Sequence, residues 1–209
     1  MRIFFASTER LLVEGIKLLL ADKGGYEFGE TFESLDDIAN GPRFKLDDVI
    51  ILTEPGFKCS TMYALRKLQS SGPGTPVVLI TTKNRLRGVA LLFRYSVRAI
   101  LLEDCRVVEL CAALKTVSTG QAYLTPGIAQ AVATTLYRDG PRKIDLSLRE
   151  IEVLGFLVKG TKIKDIAKEL SLSAKTVSSH KSNIQHRLNL RGTSEIIQYA
   201  IEHDMVMGR

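Results

Sequence analysis

The chain has 209 residues, 45% of them hydrophobic, and a formal net charge of +6 at neutral pH, which suits one ordinary domain plus a small one and a polyanionic partner, nucleic acid or a membrane surface. No apolar run approaches the ~20 residues that span a bilayer, and Met1-Arg-Ile-Phe-Phe-Ala is too short for a signal-peptide core, so a cytoplasmic protein without a membrane partner is expected. Cys59, Cys105 and Cys111 are odd in number, have no paired ligand spacing and lie far in sequence from His180, His186 and His203, which argues against a disulfide framework, a zinc site or any other metal or cofactor.

From residue 1 to about 119 the chain alternates β-rich runs with helical patterns. Strands are predicted at Arg2–Ala6, Tyr26–Glu30, Asp48–Leu52, Pro76–Thr81 and Ala99–Leu102, the central ones apolar enough to be covered on both faces. Helices are predicted at Glu9–Asp22, Ser34–Ala39, Ser60–Gln69, Arg85–Tyr95 and Arg106–Ser118. Five βα units imply a doubly wound, five-stranded parallel sheet, whose chemistry belongs at the carboxyl ends of its strands. Residues 120–143 form a linker with an apolar helical pattern from Ile128 to Leu136, closing on Arg138-Asp-Gly-Pro-Arg-Lys. Gly140 and Pro141 break helix there, so a hinge is expected.

Residues 144–209 carry an all-α, four-helix pattern. Ser147-Leu-Arg-Glu150 has capping-box spacing and opens a helix with Ile151, Val153, Leu154, Leu157 and Val158 as apolar members, ended by Gly160. Ile163, Ile166, Ala167 and Leu170 mark one face of a second helix, and Val177, Ile184 and Leu188 one face of a third. Between them Leu172 can plug a shared core while Ser173 caps the third helix. The outer positions of that helix carry Lys175, Thr176, Ser178, Ser179, His180, Lys181, Ser182, Asn183 and Gln185, and no acidic residue occurs from Leu170 to Ser194. An ordinary solvated helix mixes both charge signs. Short hydroxyl and amide side chains approach base edges while lysines neutralise phosphates, so this helix suits a DNA major groove. In the last helix, Ser194 to His203, Ile197, Ala200 and Ile201 form one apolar stripe that can close the domain, and Ile196, Tyr199 and His203 form a second that needs another partner.

Leu146-Ser-Leu-Arg-Glu-Ile-Glu-Val-Leu and Ile166-Ala-Lys-Glu-Leu followed by Lys175-Thr-Val resemble the LuxR/FixJ (NarL)-type output domain of bacterial response regulators. Ala174-Lys-Thr-Val-Ser-Ser-His-Lys-Ser-Asn-Ile is closest to the Rcs-type (RcsA/RcsB-like) regulators. The resemblance implies a helix-turn-helix domain that binds double-stranded DNA. It places Ser178, Ser179 and Ser182 toward bases, and Lys175, Thr176, His180, Lys181 and Lys162 toward phosphates or the groove edge. It also assigns the last helix to dimerisation, here through Ile196 and Tyr199, in a homodimer or a heterodimer with another response regulator.

The same resemblance makes the N-terminal domain a receiver, and a degenerate one. A working receiver holds magnesium on acids after the first strand, phosphorylates an aspartate ending the third, and uses a hydroxyl after the fourth and a lysine after the fifth. Here Ser7 and Thr8 follow the first strand, Thr53 or Glu54 ends the third, Thr81 or Thr82 supplies the hydroxyl, and Glu103 replaces the lysine. Neutral oxygens at Ser7 and Thr8 are poor ligands for a hard cation, and Glu54 is either a fixed negative charge at the switch or a loop residue before Pro55. The fourth helix, fifth strand and fifth helix of a receiver form its pairing surface, here about Arg85–Ser118, where Arg85, Arg87, Arg94 and Arg98 precede Glu103, Asp104 and Glu109. An enzyme is not expected: no Gly-rich phosphate loop follows a strand and no Ser-His-Asp order is evident. The expected function is a phosphorylation-independent, DNA-binding transcription regulator, the alternative being an adaptor that contacts DNA only within a heterodimer.

Overall fold

The computed structural model describes residues 1–34, 37–38, 44–45, 47–54, 61–70, 74–82, 92–139 and 146–202. Its first part is an all-parallel sheet of β1 (Arg2–Ala6), β2 (Glu27–Phe32), β3 (Asp48–Thr53), β4 (Val77–Thr81), β5 (Val97–Leu102) and β6 (Tyr123–Leu124), in the order β2-β1-β3-β4-β5-β6. Alternation along the strands divides two cores. Ile3, Phe5, Val49, Ile51, Val78, Ile80, Ala99 and Leu101 meet α1 (Arg10–Ala21) and α3 (Val107–Ser118) on one face. On the other, Phe4, Ala6, Ile50, Leu52, Leu79 and Ile100 pack with Leu65 and Leu68 of α2 (Thr61–Ser70) and with Tyr95. Burial on both faces is what near-continuous apolar strands require. Phe4, Phe32 and Phe44 cluster with ring centroids 5.1–6.0 Å apart, and a Cβ on Gly29 would come within 2.4 Å of the Phe4 ring, so the strand facing that ring has glycine there.

Two features differ from the sequence expectation. The sheet has six strands rather than five, because Tyr123 and Leu124, inside the expected linker, pair with Ala99 and Ile100 of β5. A two-residue strand carries no readable alternation. The helix after it, α4 (Pro126–Asp139), also buries Ile128, so the first half of the linker belongs to the folded body. Of the hinge expected at 138–143, the first two residues belong to α4, and 140–143 lie outside the described residues, as do Arg85, Arg87, Cys59 and His203 and most of the helices expected over 34–39 and 85–95.

The second part comprises α5 (Leu148–Val158), α6 (Ile163–Glu169), α7 (Ala174–Leu188) and α8 (Thr193–Glu202). Leu146, Ile151, Leu154, Ile166, Val177, Ile184, Leu188, Ile196 and Ala200 form its core. The first three helices end alike. Gly160, Ser171 and Asn189 adopt positive φ (73°, 53° and 55°), and the next amides, of Thr161, Leu172 and Leu190, reach back to the carbonyls of Phe156, Ala167 and Gln185 at 2.8–3.1 Å. These are Schellman turns, which satisfy the free carbonyls at a helix end and fix the exit of the chain. Helix α2 of the first part packs against α5 of the second.

Candidate nucleic-acid interface

The turn between α6 and α7 is specified from both sides. Ser171 takes the left-handed conformation, Leu172 drops onto the core, and Ser173 Oγ accepts the Thr176 amide at 3.0 Å while lying 2.8 Å from the Thr176 hydroxyl. That cap meets an amide otherwise unpaired at a helix start. Two side chains of α5 brace the pair. Arg149 donates through Nη2 to the Leu170 carbonyl at the end of α6 (2.8 Å) and through Nη1 to Glu152 (2.7 Å). Glu150, almost fully buried, accepts from the Ser147 amide and hydroxyl (2.7 and 2.9 Å) and lies 3.5 Å from Arg187 Nε near the end of α7. Both ends of α7 are thus fixed, by a cap at one and an ion pair at the other. Only the capping-box spacing of Ser147 and Glu150 is legible in sequence; the tie to Arg187 links residues 37 apart and needs the fold.

With Val177, Ile184 and Leu188 turned inward, α7 presents Lys175, Ser178, Ser179, Ser182, Asn183, His186 and Arg187 as exposed positions. Lys175, Ser179, Ser182 and His186 follow one another at helical spacing and so form one straight stripe. Thr176, His180 and Lys181 are half-buried on its flanks, and the Ser179 hydroxyl donates back to the Lys175 carbonyl at 3.1 Å. Lys162 is exposed as the N-terminal boundary residue of α6. His186 extends the exposed stripe by a turn beyond the residues chosen from sequence; its signal was its spacing from Lys175, Ser179 and Ser182.

The last helix corrects the expectation for the dimer stripe. Ile196 has no exposed surface and Tyr199 retains 7%; both pack into the domain core, with α8 against α5. The outward apolar face is instead Ile197 and Ile201, the latter 57% exposed, bounding a shallow depression with Ser194 and Gln198. Ala200 closes the domain as expected, but Ile196 and Tyr199 take the inward places expected of Ile197 and Ile201, because the rotation of α8 is set by which residues face α5, a choice that periodicity alone leaves open.

At the carboxyl ends of the strands, Ser7 and Thr53 are buried and joined, Thr53 Oγ1 donating to Ser7 Oγ at 2.6 Å, and the Glu9 amide donates to the same oxygen at 3.0 Å. Thr81 Oγ1 donates to Glu54 Oε2. Thr8 and Glu103 are exposed, and the Glu103 amide donates to the Thr81 carbonyl. Thr53 rather than Glu54 ends β3, and Thr81 rather than Thr82 ends β4. Among the described residues no three His, Cys, Asp or Glu side chains gather as a metal group, and no helix is long and apolar enough to cross a membrane.

Residues 145–200 match the family model described as bacterial regulatory proteins, luxR family. Over nearly full length the chain is 26% identical to the oxygen regulatory protein NreC of Staphylococcus carnosus (99% of each chain) and 26% identical to the response regulator UvrY of Escherichia coli K12 (97% of this chain, 94% of that one). It is 30% identical to NreC of Staphylococcus haemolyticus over 70% of this chain and 71% of that one. The fold matches the RcsB–DNA complex (TM-score 0.56, 19% identity, 97% and 98% covered). It also matches RcsB of Salmonella enterica serovar Typhimurium bound to promoter P1flhDC in the presence of phosphomimetic BeF3- (TM-score 0.57, 20% identity, 97% and 98% covered). With a receiver-like parallel sheet ahead of a four-helix domain, the chain belongs to the LuxR/FixJ (NarL)-type response regulators, a family of DNA-binding transcription regulators.

Proposed function

We propose that this chain is a cytoplasmic transcription regulator that binds double-stranded DNA as a dimer and is not switched by phosphorylation. Residues 1–119 serve as a pseudo-receiver, 120–143 as a connection whose first half is built into the sheet, and 144–209 as the DNA-binding domain. The observation that carries the reading is the stripe Lys175, Ser179, Ser182 and His186, exposed on a helix pinned at both ends. Short side chains let α7 sit deep in a major groove, and Lys175, Lys181 and Lys162 supply the cations that backbone contacts need.

Phosphorylation independence rests on the strand ends. Magnesium wants an octahedral shell of oxygens that includes carboxylates, and Ser7 and Thr53 offer neutral hydroxyls already bonded to each other. Glu54, the nearby carboxylate, accepts from Thr81. These residues do not fit the ion, and Glu103 adds negative charge where a phosphoryl group needs positive. In the dimer, Ile197 and Ile201 replace Ile196 and Tyr199 as the pairing face of α8, setting two recognition helices about one DNA turn, roughly 34 Å, apart.

A second reading, an adaptor reaching DNA only beside another response regulator, is favoured by a reading stripe that includes one lysine, since affinity for the phosphate backbone grows with the number of cations. Fluorescence anisotropy with duplex DNA separates the two. The proposed regulator binds alone, and Lys175→Ala and Lys181→Ala each lower the slope of log affinity against log salt by about one. Unchanged affinity and slope in both variants would remove α7 from the groove; binding that appears only on adding another response regulator supports the adaptor.

A further inference from the structure

Ser179 sits at the centre of the exposed stripe of α7, one turn beyond Lys175 and one turn before Ser182, with His186 a further turn on. The proton of its hydroxyl does not face outward. Oγ donates to the Lys175 carbonyl in the turn behind, at 3.1 Å, using the second lone pair of an oxygen that also belongs to the helix ladder. A serine hydroxyl has one proton and two acceptor sites. With the proton committed to α7 itself, Ser179 offers only lone pairs to whatever lies against this face.

In a major groove that polarity discriminates between bases. Only adenine and cytosine present a hydrogen-bond donor there, the amino groups at N6 and N4. Guanine presents acceptors at N7 and O6, and thymine an acceptor at O4 beside a methyl group. Given the groove placement of α7 proposed above, on which this step rests, we infer that Ser179 is a specificity-determining residue that selects a base with an exocyclic amino group, adenine or cytosine, at the position it faces in each half-site. Docking strips water from the hydroxyl, so its proton and its lone pairs must find partners inside the complex. Against an amino group they do: the proton stays on the Lys175 carbonyl and a lone pair accepts from the base. Against guanine or thymine, acceptor meets acceptor, and the contact forms only if the proton is withdrawn from the carbonyl. One hydrogen bond separates the two cases by about fivefold in affinity. Lys175, one turn away, has the opposite polarity: its ammonium group only donates, and suits the guanine acceptors.

The test is a selection from a pool of random duplexes, run with the full-length chain and with Ser179→Ala. The side chain is exposed and alanine is the better helix former, so both chains should fold alike, which circular dichroism melts establish. The unsubstituted chain should enrich A or C at one position of each half-site. Ser179→Ala should flatten that position or turn it to T, whose methyl group suits an alanine, and leave the other positions as they were. On the selected duplex the amino group alone is then removed, with purine in place of adenine or pyrimidin-2-one in place of cytosine. Its loss should weaken binding of the unsubstituted chain about fivefold and leave Ser179→Ala unaffected. G or T at the position that responds to Ser179→Ala overturns the inference. So does a profile that the substitution leaves unchanged, or an amino deletion that weakens both chains equally. A chain that enriches no sequence, with salt slopes unmoved by Lys175→Ala and Lys181→Ala, fails earlier, at the groove placement of α7, and takes the inference with it.

Discussion

Ser171 holds a conformation that L side chains adopt at a cost, φ 53°, in the turn that leads into α7. The corresponding position after α5 is Gly160, which adopts it freely, and that after α7 is Asn189, a residue tolerated there. Ser171→Gly should therefore stabilise the helical domain by about 1 kcal/mol, by removing a Cβ penalty, seen as a rise of several degrees in its thermal midpoint. No rise would mean that the serine side chain makes a compensating bond. In the sheet, Asp48 is buried at the start of β3, bonded to Arg2 Nε and Nη2 (3.0 and 2.7 Å) and to the Lys45 amide (2.6 Å). Burial pushes its carboxyl up, but the Arg2 guanidinium and the Lys45 amide outweigh it and hold the group below its ordinary value. A depressed folded value stabilises at pH above the unfolded carboxyl range, and that stability is lost as pH falls through the folded value. Asp48→Asn should cost about 2 kcal/mol at neutral pH by urea unfolding, and the gap to the unsubstituted chain should close as pH drops below about 4. A gap that persists in acid would assign the loss to packing.

At the scale of elements, α8 shows most plainly what periodicity cannot decide. Ile196, Ile197, Tyr199, Ala200 and Ile201 supply two apolar stripes on adjacent faces, and a helix with two such faces fits its domain in either rotation. The choice falls to packing against α5, which takes Ile196, Tyr199 and Ala200. Ile196→Glu should therefore unfold the helical domain, by burying a charge in a packed core. Ile201→Glu should leave helix content intact by circular dichroism while reducing binding to a two-half-site operator far more than to one half-site. Equal losses on both DNAs for Ile201→Glu would take the pairing face away from α8. By contrast the inward stripe of α7, Val177, Ile184 and Leu188, was legible from its spacing, whereas Thr176, His180, Lys181 and Gln185, expected on the outer face, are half-buried on its flanks.

Over the whole molecule, a parallel α/β sheet followed by a helical domain could be read from alternation and helical period because those patterns are long, whereas the order of the strands needed the structure. The sixth strand could not, because Tyr123 and Leu124 are too short a run to signal pairing with β5. Nor could the docking of α2 on α5, which joins distant parts of the chain and leaves the stripe of α7 exposed. The strand-end site was legible as missing acids, whereas its replacement by hydroxyl bonds needed the geometry. Incubating the full chain with magnesium and a small phosphodonor should leave its intact mass unchanged, and a stoichiometric adduct on residues 1–119 would defeat the reading of that site. The hydroxyl bonds there also bear on how such a protein conveys information in time. An acyl phosphate is a timer, made by one reaction and erased by hydrolysis, whereas Thr53 bonded to Ser7 and Thr81 bonded to Glu54 are permanent parts of the fold, with nothing to erase. If phosphate does not switch the chain, as proposed, what remains adjustable is the number of molecules. For a weak dimer, mass action turns a twofold drop in copy number into about a fourfold drop in the DNA-binding form, so the rates at which the chain is made and destroyed set the tempo of its response.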